Sequence, residues 1–326
     1  MKCFKGWNRG NLYLCANIMK VFYDLSELNI TSNPLVTIGT FDGVHLGHKQ
    51  VIEKMVQMAR KKGVECMLIT FDPHPREALG LGEISLLSIL EEKILLLQET
   101  ELDFLLVVPF TKEFSQLTAL DFIHQYLVQR LAISGVILGY DHKFGNNREG
   151  NIGLLRRELS PQGIEVVEIS AQAVDSIIVS STKIRNALSS GNPKEANRLL
   201  GYHYSFVGTV VHGAKNGRTL SYPTANLELR SCSKLIPGQG VYAVKCEIAA
   251  SSYWGMMNIG IRPTLHGIKE VIEVHILDFN SDIYGSEVRV FMHDRIRNER
   301  KFNTLNELKE QLSQDEAHLR HYFLRP

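Results

Sequence analysis

The sequence predicts two domains in series, an α/β domain followed by an antiparallel β domain, and three observations support this fold class. The chain has 326 residues, about the length of two average domains. Short β-branched runs alternate with longer helical runs between 35 and 185, which is typical of a mostly parallel sheet covered on both faces. After about 200, strand-like runs follow one another with little helix between them, which favours an antiparallel barrel or sandwich.

The elements of the first domain follow from these runs. The predicted strands are short apolar runs and cover 35–40, 65–71, 103–110, 135–140 and 165–170. The predicted helices are longer runs and cover 46–63, 84–100, 118–131 and 151–163. Ligands of parallel sheets bind at the carboxyl ends of the strands. Three polar motifs fall there: FDGVHLGH, FDPHPRE and GYDHKFGNNREG.

The elements of the second domain are separated by turn signals. Its predicted strands lie within YSFVGTVVHG, TANLEL, GVYAVKCEIA, YWGMMNIG, VIEVHILDF and EVRVFM. A final helix is predicted over 304–323, because Thr304 and Glu307 have the spacing of a capping box. The sequence thus predicts domains at 19–188 and 204–326, a connector at 189–203, and an extension at 1–18 without a role in the fold.

Composition narrows the classes of partner. Lysine and arginine total 36 and aspartate and glutamate total 35, which gives no electrostatic reason to expect nucleic acid or an anionic membrane. Five scattered cysteines without a CxxC pair favour a reduced, cytoplasmic chain over a disulfide framework or a zinc site. The longest apolar runs are far shorter than the roughly 20 residues of a membrane span.

Two histidines mark the end of the first long strand. His45 and His48 are three residues apart, at the predicted start of a helix, and therefore share one face. Free N–H groups at a helix start bind anions, and imidazoles aimed there donate hydrogen bonds to phosphate oxygens. The pair therefore indicates phosphate chemistry. Two alternatives stay open at this point: a structural pair, or half of a metal site, although zinc ligands on a helix are commonly four apart.

The same stretch carries a family resemblance. GTFDGVHLGH resembles the GxFDGxHxGH signature of the HxGH nucleotidylyltransferases, and VSSTKIRNAL at 179–188 resembles their ISSTxIR motif. Neither GxxxxGK[ST] nor a well-placed GxGxxG is present, so a nucleotide would bind here by another device. Alone, SSTKIR is also compatible with a plain helix start. The resemblance implies a Rossmann-like α/β nucleotidylyltransferase domain.

The second domain narrows the family further. GTVVHGAKNGRTLSYPTANL at 208–227 resembles the riboflavin kinase pattern GxVxxGxxxGRxLGxPTAN. The two halves together resemble the bifunctional bacterial riboflavin kinase and FMN adenylyltransferase (FAD synthetase) family, from about Met19 onward. The resemblance implies a β-barrel kinase domain, ATP and Mg²⁺ as co-substrate and cofactor, riboflavin as substrate, and FMN and FAD as products.

Residue types in the second domain are compatible with phosphoryl transfer. Thr224 and Asn226 point to one side of an extended segment, where their neutral oxygens suit Mg²⁺; the alternative is an exposed polar edge. Glu273 lies in an otherwise apolar strand, as a general base toward a hydroxyl or as a buried hydrogen-bond partner.

The resemblance assigns roles position by position. It makes Glu273 the kinase base, gives Mg²⁺ to Thr224 and Asn226, and makes His45 and His48 the catalytic pair of the adenylyl site. It surrounds ATP in the adenylyl site with Gly39, Phe41, His45, His48, Asp141, Arg148, Ser181, Thr182 and Arg185. It places a kinase nucleotide loop at Gly213, Lys215 and Arg218.

Two positions depart from the family pattern. His142 stands where an aromatic residue is usual, and Ser221 stands where glycine precedes the aromatic residue and PTAN. Neither departure removes a proposed catalytic group. The sequence leaves three rival functions open. The first is an enzyme in which only one domain is active and the other merely binds its ligand. The others are an HxGH transferase that acts on another phosphate monoester, and a non-enzymatic flavin sensor.

Overall fold

The structure is a computed structural model that describes residues 19–28, 33–82, 84–140, 142–170, 173–174, 177–213, 222–249, 251–264 and 267–323. These residues form two compact units, within 13–181 and 182–326, and each unit is described by itself. The predicted extension at 1–18 lies outside the described residues, and the predicted domain bounds remain predictions.

The first unit is built on a six-stranded sheet; the parallel sheet and five of its strands were predicted, whereas the edge strand β1 was not. The spatial order is β1-β4-β3-β2-β5-β6. The strands are β1 (Lys20–Phe22), β2 (Leu35–Ile38), β3 (Cys66–Asp72), β4 (Phe104–Pro109), β5 (Gly135–Gly139) and β6 (Glu165–Ile169). Strand β2 lies between β3 and β5, and the later strands are added outward from it on both sides, β4 beside β3 and β6 beside β5. The segment that follows β2 therefore leaves the sheet at its switch point, where parallel sheets bind ligands.

Helices cover both faces of this sheet, which explains why the central strand β2 is buried over its whole length. They are α1 (Leu46–Lys62), α2 (Pro75–Ala78), α3 (Leu90–Gln98), α4 (Lys112–Ser115), α5 (Ala119–Asp121), a π-helix that continues α5 (Phe122–Arg130), and α6 (Ile152–Leu159). Val36 and Ile38 pack in the core on one face and Leu35 in the core on the other. Gly63 ends α1 in the left-handed conformation, so the helix ends where the predicted helix 46–63 does.

The prediction of a helix over 84–100 is wrong for its first part, because α3 begins only at Leu90. The backbone N–H groups of Leu87 and Ser88 donate to the carboxylate of Asp42, at 3.1 and 2.9 Å. These long-range bonds hold the segment in a turn, and a helix there would need the same N–H groups.

The second unit is a closed six-stranded barrel with antiparallel neighbours, in the order β10-β13-β12-β11-β14-β9. The short hairpin β7 (Ala173–Val174) and β8 (Ile177–Ile178) precedes the helices α7 (Ser181–Ser189) and α8 (Pro193–Leu200). The barrel strands are β9 (Ser205–Val211), β10 (Ala225–Leu229), β11 (Gly240–Ile248), β12 (Ser251–Thr264), β13 (Gly267–Ile276) and β14 (Glu287–Arg297). The last helix is α9 (Leu305–Phe323).

The two faces of β13 differ in chemistry. Ile272, Val274 and Ile276 are nearly fully buried and face the barrel interior, whereas Glu273 and His275 are half-buried on the outer face. Alternation of this kind follows from the two-residue period of a strand.

Helix α9 covers another part of the outer face of the barrel. Leu319 of α9 is fully buried and packs with Ala243, Met256 and Leu277. Arg297 and Asp315 join α9 to β14 through a 2.9 Å ion pair. The outer face is thus partly closed, and it leaves a half-buried polar strip beside the helix.

Candidate active sites

A strained turn follows β2 and opens the first candidate site. Phe41, Gly43 and Val44 have φ values of 46°, 80° and 36°. A positive φ is unusual for a β-branched residue such as valine and points to a constrained, functional backbone. Asp42 is buried and accepts hydrogen bonds from the 87–88 segment, while Gly43 N–H donates to Ser88 Oγ at 2.8 Å. These bonds fix the turn.

The turn brings the two predicted histidines together. The rings of His45 and His48 stack with centroids 3.6 Å apart, and Phe41 lies 4.9 Å from His48. His45 is the N-cap of α1, and its Nδ1 accepts the backbone N–H of His48 at 3.3 Å. In the neutral ring this bond leaves the proton on Nε2. The N–H group of Nε2 is therefore the donor that His45 can offer to a phosphate.

His48 has the properties of a neutral donor in a ligand site. Burial, together with the charges of His45 and Lys93, lowers its pKa well below the usual value. Its Nδ1 is buried, and no described residue bonds to it. Buried polar atoms are seldom left without a partner in proteins, so an unsatisfied one indicates a ligand or water.

The SSTKIR motif begins beside the turn. Ser181 Oγ donates to the backbone carbonyl of Asp42 at 3.2 Å, so the first residue of α7 contacts the FDG turn. Thr182 and Arg185 lie further along the same helix. Their roles toward ATP remain predictions.

The loop after β5 carries the remaining predicted residues of this site. Asn147 and Arg148 both have positive φ, at 52° and 58°, in a short 3-10 turn. The centroids of the His142 and Phe144 rings are 6.1 Å apart, and the angle between the ring planes is 23°. The His142 ring therefore stacks with Phe144, as an aromatic residue at this position could. Asp141 lies outside the described residues.

The second candidate site is a polar row across three strands of the barrel. Glu273 on β13 is the register partner of Asn226 on β10 and of Asn258 on β12. Register partners in neighbouring strands point to the same face. The row therefore places two amides beside the predicted base on the outer face of the barrel. Asn258 was not predicted, and its signal was a polar residue in the apolar run YWGMMNIG.

A cavity of about 430 Å³ lies against the same two strands, β10 and β13, where Ala225, Val274 and Ile276 line it rather than the residues of the polar row. Thr224 lines it together with residues 279–284, which follow β13. The rings of His212 and Tyr284 lie 4.0 Å apart. The lining by 279–284 was not predicted, because the sequence shows that segment only as a turn. Lys215, Arg218 and Ser221 lie outside the described residues.

Gly213 lies against Asn226, and this contact gives a prediction. A Cβ at Gly213 would overlap the side-chain amide of Asn226, so Gly213→Ala has to displace it. Displacement of a positioning group by about 1 Å costs up to about 10²-fold in rate. We expect riboflavin phosphorylation to fall by roughly that factor, while FAD formation from supplied FMN is unchanged. Equal rates of FMN production in variant and wild type would show that Asn226 has no positioning role.

Comparisons with known proteins agree with this arrangement. Two family models match the chain: one described as FAD synthetase over residues 28–183, and one described as riboflavin kinase over 200–323. The two matched segments contain the histidine pair and the polar row, respectively.

Two curated relatives and one solved structure cover most of the chain. The bifunctional riboflavin kinase/FMN adenylyltransferase of Buchnera aphidicola subsp. Schizaphis graminum is 38% identical over 94% of this chain and 98% of its own length. The bifunctional riboflavin kinase/FMN adenylyltransferase of Listeria monocytogenes is 40% identical over 89% of this chain and 93% of its own length.

A crystal structure of a Streptococcus pneumoniae protein named a macrolide-efflux protein has a TM-score of 0.85 and 32% identity, over 94% of this chain and 99% of that chain. In the part of this chain that the structure describes, no helix is long and apolar enough to cross a bilayer. On the two family models and the curated relatives, this chain belongs to the bifunctional riboflavin kinase/FMN adenylyltransferase family.

Proposed function

We propose that this chain phosphorylates riboflavin to FMN at the barrel and then adenylylates FMN to FAD at the parallel sheet, using ATP in both steps. The observation that supports this proposal best is the presence of two separate phosphate-transfer arrangements in one chain. One is the stacked pair His45 and His48 at the switch point of the sheet. The other is the Asn226–Glu273 pair on the barrel.

In the kinase step Glu273 acts as the general base. Its carboxylate takes the proton of the riboflavin 5′-hydroxyl as that oxygen attacks the γ-phosphorus of ATP, and ADP leaves. General base catalysis contributes about 10²–10⁴-fold. The position of Glu273 on the outer face suits this role, because a substrate can reach a half-buried side chain there.

The donor chemistry around Thr224 and Asn226 fits Mg²⁺. Thr224 is exposed, and Asn226 is half-buried as the register partner of Glu273, so the segment offers two neutral oxygen donors, one of them beside a carboxylate. Among the described residues, no group of three or more histidine, cysteine or acidic side chains is placed to hold a metal. Few protein ligands suit an ion that keeps several waters and binds substrate phosphates. When bound, Mg²⁺ would neutralise charge on the β- and γ-phosphates.

In the adenylyl step the histidine pair stabilises charge. A phosphate oxygen of FMN attacks the α-phosphorus of ATP, the bond from that phosphorus to the bridging oxygen breaks, and pyrophosphate leaves. His45 donates from Nε2, and His48 offers a second neutral donor as charge builds on the phosphate oxygens. The N-terminus of α1 adds its positive dipole end. No covalent enzyme intermediate is needed.

Product analysis tests the proposal. The pure chain is incubated with riboflavin and magnesium-ATP, and separately with FMN and magnesium-ATP, and the flavins are identified by chromatography. We expect FMN and then FAD from riboflavin, and FAD from FMN. Only one product would support a chain with a single live activity. Adenylylation of another phosphate monoester but not of FMN, or flavin binding without ATP turnover, would contradict the proposal.

We also propose a cytoplasmic location, supported by the cysteines. Cys66, Cys232 and Cys246 are free thiols, as is usual in a reducing compartment. Cell fractionation beside a cytoplasmic marker checks the location, and recovery of the chain with a membrane fraction would contradict it.

A further inference from the structure

A buried lysine is linked by hydrogen bonds to the residue that precedes the FDG turn. Lys93 of α3 is only 6% exposed, although lysine is almost never buried without a reason. Its Nζ donates to Thr70 Oγ1 at 3.3 Å, and Thr70 Oγ1 donates to the carbonyl of Thr40 at 3.2 Å. Thr40 directly precedes the strained FDG turn. This chain of hydrogen bonds brings the ammonium group to the carboxyl ends of β2 and β3.

The electrostatic surroundings of Lys93 connect it with the same turn. Burial lowers the pKa of Lys93, while the negative charges of Asp42 and Asp72 act in the opposite direction. The charge of Lys93 is in turn one of the causes that lower the pKa of His48. Lys93 and His48 are therefore close enough for their charges to interact.

A full positive charge beside the start of α1 would add to what His48 and the helix N-terminus supply. With its lowered pKa, His48 offers a hydrogen bond but no net charge near neutral pH. A helix N-terminus contributes only about half a charge. Pyrophosphate leaves the adenylyl site carrying several negative charges, and a cation beside it stabilises the departure. An ammonium group has three N–H donors, and the bond to Thr70 uses one of them.

We propose that Lys93 is a further phosphate-binding residue of the adenylyl site, where its ammonium group binds the β- and γ-phosphates of ATP that depart as pyrophosphate. This inference rests on the proposed FAD synthesis. The competing explanation is structural: Lys93 balances the charge of Asp42 and holds α3 against the turn.

Lys93→Met tests the inference through the reverse reaction, FAD plus pyrophosphate to FMN plus ATP. We expect the KM for pyrophosphate to rise at least tenfold and the forward rate to fall about 10²–10³-fold, as for loss of a transition-state donor. Lys93→Arg keeps the charge and is expected to recover part of both values. Lys234→Met is the matched control, because Lys234 is equally buried but packs on the Tyr204 ring in the second unit.

Folding and binding measurements separate the two explanations. If Lys93 is only structural, the melting temperature of Lys93→Met falls while the KM for pyrophosphate per folded molecule stays normal, and the inference is overturned. Lys93→Gln, which removes the charge but keeps a polar group on the side chain, replaces the methionine variant if that variant does not fold.

Calorimetric binding of inorganic pyrophosphate to the full chain gives a readout that does not depend on FAD synthesis. We expect at least tenfold weaker binding in Lys93→Met than in Lys234→Met, and equal affinities would overturn the inference. A wild-type chain that binds pyrophosphate through Lys93 but makes no FAD would refute the proposed function alone.

Discussion

Glu273→Gln is expected to slow riboflavin phosphorylation by about 10²–10⁴-fold, the range of a lost general base. Glutamine has nearly the shape of glutamate and keeps an acceptor oxygen, so packing between Asn226 and Asn258 is preserved. It cannot take the proton of the 5′-hydroxyl. The measurement is the rate of FMN formation from riboflavin, beside the rate of FAD formation from supplied FMN, which stays normal.

Glu270→Gln is the matched control for this variant. Glu270 lies on the same strand but pairs with Ile261, away from the polar row. We expect its kinase rate to equal that of the wild type. If Glu273→Gln instead lowers the melting temperature and leaves FMN production per folded molecule near normal, Glu273 is a structural residue and the kinase base lies elsewhere.

His48→Ala is expected to reduce FAD synthesis by about 10²–10³-fold, so that FMN accumulates when riboflavin is supplied. The alanine removes a neutral donor from the anion site and its stacking on His45. The readout is FAD formation from supplied FMN, with riboflavin phosphorylation as the internal check on folding.

His124→Ala is the control for a histidine in the same unit. His124 lies at the surface, where its Nε2 is 3.3 Å from a Glu158 carboxylate oxygen. It should leave both rates unchanged. Unaltered FAD synthesis in His48→Ala would remove the histidine pair from the mechanism and leave the strained turn without a catalytic explanation.

The sequence predicted the parallel sheet and the shared position of His45 and His48 at the start of α1 well, because both depend on local sequence patterns. The strands near 35, 66 and 104 are continuous apolar runs, and the glycine that ends α1 is a local stop signal. The start of α3 was missed because Asp42, far away in sequence, accepts the N–H groups of Leu87 and Ser88. Helix propensity is a property of the local sequence, so it cannot show that a distant carboxylate competes for these N–H groups.

Lys93 and Asn258 were missed for a related reason. Within ILEEKILLL, Lys93 looks like a solvated charge on a helix, and only the packing of α3 against β3 reveals its burial. Asn258 gains a role only through the register of β12 on β13, which a single sequence does not specify. The predicted pair Asn226 and Glu273 was found without register, because family motifs mark both residues.

Along β13, buried and half-buried residues alternate, so neighbouring positions are expected to be under different selection, one for stability and one for activity. Mutations at Ile272, Val274 and Ile276 act on the barrel interior and change how much folded protein a cell contains. Mutations at Glu273, on the opposite face, are expected to leave that amount largely intact and, if Glu273 is the proposed base, to change turnover. A scan that scores abundance and flux separately would show the two signals alternating every second residue. The interior of the barrel could then diverge between lineages, or be redesigned for heat resistance, while the chemistry on its outside is inherited unchanged.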